Sequence, residues 1–288
     1  MSKPVAIVTG AGSGIGEAVA QHLYRKGYKV VVGDMNASTG SAVACRLGPD
    51  AKFIQVDVSS YASQARLFQQ AYEWGGNRLD FCHANAGIDD RQLLYDAADK
   101  EELDAEGLLK PLDTKTMQVN LEGVIQGLWL FKHYVRRSKE AGGGKGKFVA
   151  TSSAAGLYAM KQCPQYTASK YGVVGLVRAA GPVFVSQGIT VNALCPAFVP
   201  TNLCPPEVLA RWPKEHMTPL ATVTKAIDAL LADDDLTGQA VELSQDEIYF
   251  RSAVEYANES QRWIGLESDG IWNEGYDLKK GPVKRNGY

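Results

Sequence analysis

Long apolar runs are missing from this 288-residue sequence: none approaches the ~18 residues of a membrane-spanning helix. Histidine is scarce, with four residues, and the five cysteines (Cys45, Cys82, Cys163, Cys195 and Cys204) are scattered without a CxxC pair. That spacing argues against a disulfide framework and against a zinc or other metal site, and it points to a reducing, cytoplasmic compartment. An excess of one charge sign is also missing. Lys and Arg number 30 against 32 Asp and Glu, for a net charge of -2. Nothing electrostatic therefore calls for nucleic acid or an anionic membrane as a partner. The opening Met1-Ser2-Lys3-Pro4 runs straight into an apolar segment, without the layout of a signal peptide. Glycine, in contrast, is plentiful at 29 residues, about 10% of the chain against a usual ~7%.

Length alone suggests roughly two domains, but the pattern along the chain suggests one. Val5 to Thr9 is a short β-branched run, read as a buried strand, and 14–26 carries Ile15, Val19, Ala20 and Leu23 at helical spacing. Strand-like 28–33, helical 37–47, strand-like 52–56, helical 60–74 and strand-like 79–84 follow. Strands alternating with helices over short connections make an α/β protein, a doubly wound parallel sheet with helices on both faces. Residues 88–112, rich in Asp, Glu and Leu, interrupt the rhythm as a surface excursion. The pattern resumes with a long helix at 113–138, a plain turn at Gly142–Gly146, a strand at 147–152 and a helix from about 163. A strand at 189–195, a helix at 220–232 and a strand at 239–244 complete it. Residues 1–245 read as the catalytic domain and 246–288 as a C-terminal extension, polar but carrying Trp263, Trp272, Tyr276 and Tyr288.

The glycine excess finds a purpose directly after the first strand, in Thr9-Gly10-Ala11-Gly12-Ser13-Gly14-Ile15-Gly16. Glycines there let the backbone turn tightly and approach a pyrophosphate, and the N–H groups opening the following helix bind its charge. Strand before and helix after is the context that a dinucleotide site needs. Asp34 closes the second strand 18 residues past Gly16, placed to accept from the adenosine ribose hydroxyls and to repel a 2′-phosphate. No Lys or Arg stands at 35–39, so NAD is favoured over NADP, and Asp57 suits the adenine amino group.

Tyr166 and Lys170 lie four apart at a helix start and share a face. An ammonium beside a phenol favours phenolate, so Lys170, together with an oxidised nicotinamide, is expected to lower the Tyr166 pKa. Tyr166 then exchanges a proton with an alcohol or ketone while hydride moves. A YxxxK pair is common by chance, but Ser153 ends the preceding strand, at the sheet edge where doubly wound folds bind ligands. Its hydroxyl can hold the reacting oxygen. Asn85-Ala86-Gly87 ends the fourth strand at the same rim, and Asn120 can hold a water near Lys170. Asn85 also fits a simple turn former, and Asn120 a side chain satisfying a helix kink.

Together TGxxxGIG (9–16), Asp57-Val58, NAG (85–87), Asn120, Ser153 and YxxxK (166–170) resemble the short-chain dehydrogenase/reductase family over about residues 4–245. The resemblance implies a single-domain Rossmann fold with about seven strands and a catalytic tetrad of Asn120, Ser153, Tyr166 and Lys170. In that reading Lys170 also binds the nicotinamide ribose, and Asn120 supports a proton-relay water. The cofactor would meet Gly10, Gly12, Ser13, Gly14, Ile15, Gly16, Asp34, Asp57, Val58, Asn85, Ala86, Gly87, Tyr166, Lys170, Pro196, Val199 and Thr201. Within the family the runs 166–178, 189–201 and 232–243 are most similar to NAD-dependent 15-hydroxyprostaglandin dehydrogenases. Three features depart from the pattern. Pro196-Ala197 replaces the usual Pro-Gly. Cys163 stands where the prostaglandin enzymes place a glutamine near the substrate. Gly181-Pro182 interrupts the helix after Lys170, where a bend or early break is expected.

Residues 197–219 read as a mobile substrate loop, in which Phe198, Leu203, Leu209, Trp212 and Met217 either line an apolar pocket or pack the loop itself. Ser153, Cys163, Tyr166, Phe198, Leu203 and Trp212 are thus the candidate substrate contacts. The expected activity is an NAD(P)-dependent interconversion of a secondary alcohol and a ketone. The substrate would be a mid-sized apolar molecule such as a secondary metabolite, turned over by a homodimer or homotetramer. NAD mildly favours oxidation, because cells hold it mostly oxidised. The alternative is a cyclase, dehydratase or isomerase on the same dinucleotide-binding scaffold.

Overall fold

The computed structural model describes residues 2–92, 94–95, 103–140 and 145–276. Seven strands lie parallel: β1 (Val5–Thr9), β2 (Lys29–Asp34), β3 (Ala51–Gln55), β4 (Phe81–Ala84), β5 (Gly146–Thr151), β6 (Ile189–Pro196) and β7 (Ala240–Ser244). An eighth, β8 (Glu247–Arg251), pairs antiparallel to β7, in the order β3-β2-β1-β4-β5-β6-β7-β8. β1 and β6 are buried along their whole length, as strands covered on both faces must be; β1 therefore reads as an apolar run rather than as alternation, while β6 also buries Thr190 and Asn192.

Helices α1 (Gly14–Arg25), α2 (Ala37–Leu47) and α8 (Leu220–Ala232) cover one face, burying Val19, Leu23, Val43, Ile227 and Leu230 against Val8, Val32 and Leu194. Helices α3 (Tyr61–Trp74), α5 (Gly123–Glu140) and α6 (Pro164–Phe184) cover the other, around Leu67, Phe68, Phe131 and Phe148. The strand order reverses between β1 and β4, so the carboxyl ends of β1, β4 and β5 border the crevice where such sheets bind ligands. Among the described residues no helix is long and apolar enough to cross a membrane.

The doubly wound sheet expected with about seven strands is present and has eight, because 247–251 adds an antiparallel edge strand too short to stand out as a periodic run. One compact unit accordingly runs to Arg251, six residues past the expected boundary. The second unit, Ser252–Tyr288, holds α9 (Glu259–Leu266), capped by the Asn258 side chain, and α10 (Asp269–Tyr276). Tyr288 and Gly142–Gly144 lie outside the described residues. The helix expected over 113–138 is three pieces: α4 (Lys115–Met117), a π-helical turn (Gln118–Glu122) and α5. π-turns of this kind are often found at functional sites, and Asn120 sits in this one.

α6 does not break at Gly181-Pro182. It runs two residues further, to Phe184, before a 3-10 turn (Val185–Gln187) and left-handed Gly188 end it. Gly181 is needed for another reason: a Cβ there would lie 2.4 Å from the Gly238 nitrogen, so the helix passes directly against the turn leading into β7. The 197–219 segment contains α7 (Pro206–Arg211) and a 3-10 turn (Lys214–His216), more structure than a bare loop. Ala197 is not in the left-handed region, and its N–H donates to Leu243, so the alanine in place of glycine sits without strain.

Candidate active site

The turn between β1 and α1 takes its shape from its glycines. Gly10 (φ +63°) and Gly14 (φ +56°) occupy left-handed backbone that side chains rarely adopt. Gly16 has a different constraint: a Cβ there would stand 2.2 Å from the Gly10 carbonyl oxygen, so helix and turn touch backbone to backbone. Ser13 at the N-cap makes no side-chain capping bond, which leaves the N–H groups opening α1 directed at the cleft mouth. Asp34 braces the turn as well as facing the cleft: one carboxylate oxygen accepts from the Gly12 N–H (2.8 Å) and the other from Asn36 (2.9 Å). Asp57 accepts from the Ser59 hydroxyl and N–H, with Lys115 3.9 Å away. The hydroxyl bond above all holds its carboxyl below the usual value.

This turn borders a single cleft of about 450 Å³. Its walls include Gly10, Ser13, Gly14, Ile15, Asp34, Asp57, Val58, Asn85, Ala86 and Gly87. They continue through Ser153, Tyr166, Lys170, Pro196, Val199, Thr201 and Leu203. Gly12 and Gly16 lie behind the lining, as parts of the turn's frame. Added methyl groups would fill the cradle, since a Cβ on Gly14 would stand 3.0 Å from the Thr201 side chain and one on Gly10 2.9 Å from Ala86. A cleft lined by a glycine cradle, the start of a helix and carboxylates has the donor set for a dinucleotide.

The chemistry-bearing residues meet where β5 gives way to α6. Tyr166 is pushed up to about 12 by burial, with the neighbouring Ser153 hydroxyl pulling in the opposite direction. Lys170 is fully enclosed, and burial brings it down to about 8; its Nζ donates to the Thr151 carbonyl at 2.8 Å and lies 5.3 Å from the centre of the Tyr166 ring. The expected lowering of the phenol is therefore not a property of these protein groups by themselves: burial outweighs them. Asn120 pairs with Ile88 in both directions, its Nδ2 donating to the Ile88 carbonyl and its Oδ1 accepting the Ile88 N–H, each at 2.9 Å, and it also donates to Ser169 (3.2 Å). Its side chain fastens the strand-end loop to α6, and a Cβ on Gly87 would lie 3.3 Å from its Oδ1 and 3.5 Å from Lys170 Nζ.

Three candidate substrate residues are not brought into the lining. Cys163 is buried at the cap of α6, its thiol pushed up to about 11 by burial. Phe198 and Trp212 stack on each other, ring centres 3.8 Å apart and planes within 7°, so they pack the segment between them. Other residues carry the site without having been singled out from the sequence. Asp90 accepts from the N–H groups of Gln165 and Tyr166, which ties the excursion after β4 to the first turn of α6. Ser152 donates to the Lys170 carbonyl (2.8 Å), and Met35, Ile88, Val119 and Asn202 join the cleft wall. A carboxylate just before a helix start is a known capping signal, but here the cap comes from 75 residues earlier in the chain, beyond any local rule.

Comparison with known proteins agrees with this geometry. The short chain dehydrogenase family model matches residues 4–209. A short-chain dehydrogenase/reductase of Penicillium rubens, prx7, is 32% identical over 270 residues, covering 87% of this chain and 94% of that protein. Human 15-hydroxyprostaglandin dehydrogenase [NAD(+)] is 37% identical over 208 residues, 69% of each chain. Among solved structures, an alcohol dehydrogenase from the archaeon Thermococcus sibiricus, complexed with 5-hydroxy-NADP, superposes with a TM-score of 0.67 at 25% identity, covering 88% of this chain and all of that one. The chain belongs to the short-chain dehydrogenase/reductase family and is an NAD(P)-dependent oxidoreductase acting on CH–OH groups of small molecules.

Proposed function

We propose that this oxidoreductase uses NAD to interconvert a secondary alcohol and its ketone on a mid-sized, largely apolar substrate, with Tyr166 as the acid/base. The observation that carries the reading is the convergence of Ser153, Tyr166 and Lys170 on the same cleft as the glycine turn and Asp34. Gly10, Ser13, Gly14 and Ile15 would hold the pyrophosphate, Asp34 the adenosine ribose, Asp57 the adenine, and Asn85 to Gly87 with Lys170 the nicotinamide half. When bound, the nicotinamide supplies or accepts the hydride. Asp34 supports NAD over NADP, because a carboxylate repels a 2′-phosphate. Among the described residues no Lys or Arg other than Lys170 lines the cleft to offset it.

The substrate oxygen would sit between the Ser153 and Tyr166 hydroxyls. In reduction Tyr166 donates its proton to that oxygen; in oxidation it takes the proton back, with Ser153 holding the oxygen in place. Lys170, an ammonium below about pH 8, favours the ionised phenol whenever the proton has left. Ile88, Val199 and Leu203 support an apolar substrate end, and the chemistry suits a secondary metabolite. Exposed Ile125 and Trp129 on α5 support assembly into a homo-oligomer, and five free cysteines support a reducing, cytoplasmic setting.

The test is absorbance at 340 nm with NAD and a panel of secondary alcohols, the parent protein against Tyr166→Phe. Turnover should fall by about 10²- to 10⁴-fold, the usual worth of a general acid/base, with cofactor binding retained. A protein that binds no nicotinamide cofactor, or a phenylalanine variant that turns over normally, overturns the reading.

A further inference from the structure

Three polar side chains share one face of the sheet at the cofactor rim. His83 on β4 is fully buried beside Val8 and Val149. Its Nε2 lies 2.8 Å from the Thr151 hydroxyl at the end of β5. Thr151 in turn donates to the Asn85 side-chain oxygen at 3.0 Å. Asn85 Nδ2 donates to the carbonyls of Thr9 (3.1 Å) and Gly10 (3.3 Å), inside the glycine turn.

The direction of this chain follows from its far end. The two carbonyls can only accept, so Asn85 must present its NH₂ to them and its oxygen to Thr151. Thr151 spends its only proton on that oxygen and must accept from His83, which fixes the imidazole as the Nε2–H tautomer. Burial agrees: it pushes the ring down to about 3, so His83 stays neutral. The remaining Nδ1 has no partner. An orphaned buried nitrogen costs stability that a leucine at the same place would not. Such a cost persists where the group does something else.

We propose that His83 and Thr151 are positioning residues for the cofactor. They lock the Asn85 amide in the single orientation that ties β4 to the glycine turn, and through the Thr151 carbonyl they set the same strand end against Lys170. A flipped Asn85 would point its oxygen at the Thr9 and Gly10 carbonyls, which repels the turn that must receive the pyrophosphate. The inference rests on the reading of this cleft as a nicotinamide dinucleotide site.

The experiment is calorimetric titration of NAD into the parent protein, Thr151→Val and Thr151→Ser, with melting temperatures recorded without cofactor. Valine matches threonine in shape and removes the hydroxyl; serine keeps it. The dissociation constant should rise about tenfold in Thr151→Val, the scale of one lost hydrogen bond with an unsatisfied partner left behind, and stay within about twofold in Thr151→Ser. His83→Leu should match Thr151→Val, His83→Gln should recover part of the affinity by donating through its amide, and His83→Leu with Thr151→Val should be no worse than either alone. The His83 pair carries the test if Thr151→Val does not fold. Parent-like NAD affinity in Thr151→Val or His83→Leu overturns the proposal, and so does an equal loss in Thr151→Val and Thr151→Ser. A parent protein that does not bind NAD overturns the cofactor reading instead.

Discussion

On the β1–β4 side the cleft wall is backbone: left-handed Gly10 and Gly14, Gly16 against the Gly10 carbonyl, and carboxylate and amide side chains that bond the turn rather than each other. On the other side the wall is the irregular chain after β6, with Ala197, Val199, Thr201, Asn202 and Leu203; the segment that follows, a short helix and a 3-10 turn, is held by the Phe198–Trp212 stack and by the Thr218 N–H reaching back to the Phe198 carbonyl. The first side has one shape available to it, because backbone packed on backbone cannot yield. The second is built from side-chain contacts that can rearrange around different substrates. A constant cofactor and a variable substrate ask for that division of labour.

The comparison breaks most sharply at Gly16. An added methyl would meet the Gly10 carbonyl at 2.2 Å and Asn85 Nδ2 at 2.7 Å, and neither group can move without opening the turn. Gly16→Ala should weaken NAD binding by at least about 100-fold in calorimetric titration, roughly 2.7 kcal/mol. Binding within about threefold of the parent would mean that the cofactor side is as adaptable as the loop.

The next effect belongs to the seam between the two sides, where Lys170 sits. With Tyr166 held up to about 12, the phenol keeps its proton across the working range. Lys170, brought down to about 8, is the group that changes charge. If ketone reduction needs the ammonium, kcat/KM is flat below about pH 8 and falls about tenfold per unit above it, since kcat/KM reports ionisations of the free enzyme. Lys170→Arg, whose guanidinium keeps its charge, should remove that falling limb even if its overall rate is lower. A limb of the same position in the arginine variant would assign it to another group.

A smaller change is expected from Asp34→Asn, which keeps an acceptor for the Gly12 N–H and removes the negative charge. The ratio of kcat/KM for NADP to that for NAD should rise about tenfold, the worth of roughly 1.4 kcal/mol of repulsion relieved. An unchanged ratio would show that Asp34 serves the turn's shape and has no part in choosing the cofactor.

The two sides also differ in how far they could be read from sequence. Gly10, Gly14, Asp34, Asn85 and the Tyr166–Lys170 spacing announce themselves because local backbone conformation or a four-residue helical repeat dictates them. The alternation of buried strands and amphipathic helices placed the seven parallel strands, helices α1, α2, α3 and α8 and the start of α6 to within a few residues. Three things were out of reach: the β8 edge strand, the Asp90 cap on α6 and the His83–Thr151 bond. The Asp90 cap and the His83–Thr151 bond join residues that become neighbours only after the sheet has formed, and neither Asp90 nor His83 belongs to a periodic pattern; β8 follows β7 across a two-residue turn but is too short and too exposed to stand out. Cys163, Phe198 and Trp212 misled for the converse reason. Proximity in sequence to Tyr166 or to the strand end suggested the cleft, while packing turned them toward each other or into the interior.

The smallest effect concerns Trp212 itself. Its Nε1 is buried without a partner, although the ring is well stacked on Phe198. Phenylalanine there keeps an aromatic face for the stack, worth about 0.5–1.5 kcal/mol, and removes a buried donor whose lost hydration costs about 1–3 kcal/mol. The two terms are of similar size and the smaller ring gives up some contact area, so Trp212→Phe should leave the melting temperature within a few degrees of the parent or slightly above it. Trp212→Ala, which loses the stack as well, should lower it clearly. NAD affinity should not change in either variant, because neither Phe198 nor Trp212 lines the cleft. Substrate KM is the sharper readout. A several-fold rise in Trp212→Phe, with stability intact, would show that the indole N–H is held in reserve for a substrate oxygen, making the loop a recognition surface. An unchanged KM leaves the Phe198–Trp212 pair as packing within the segment after β6.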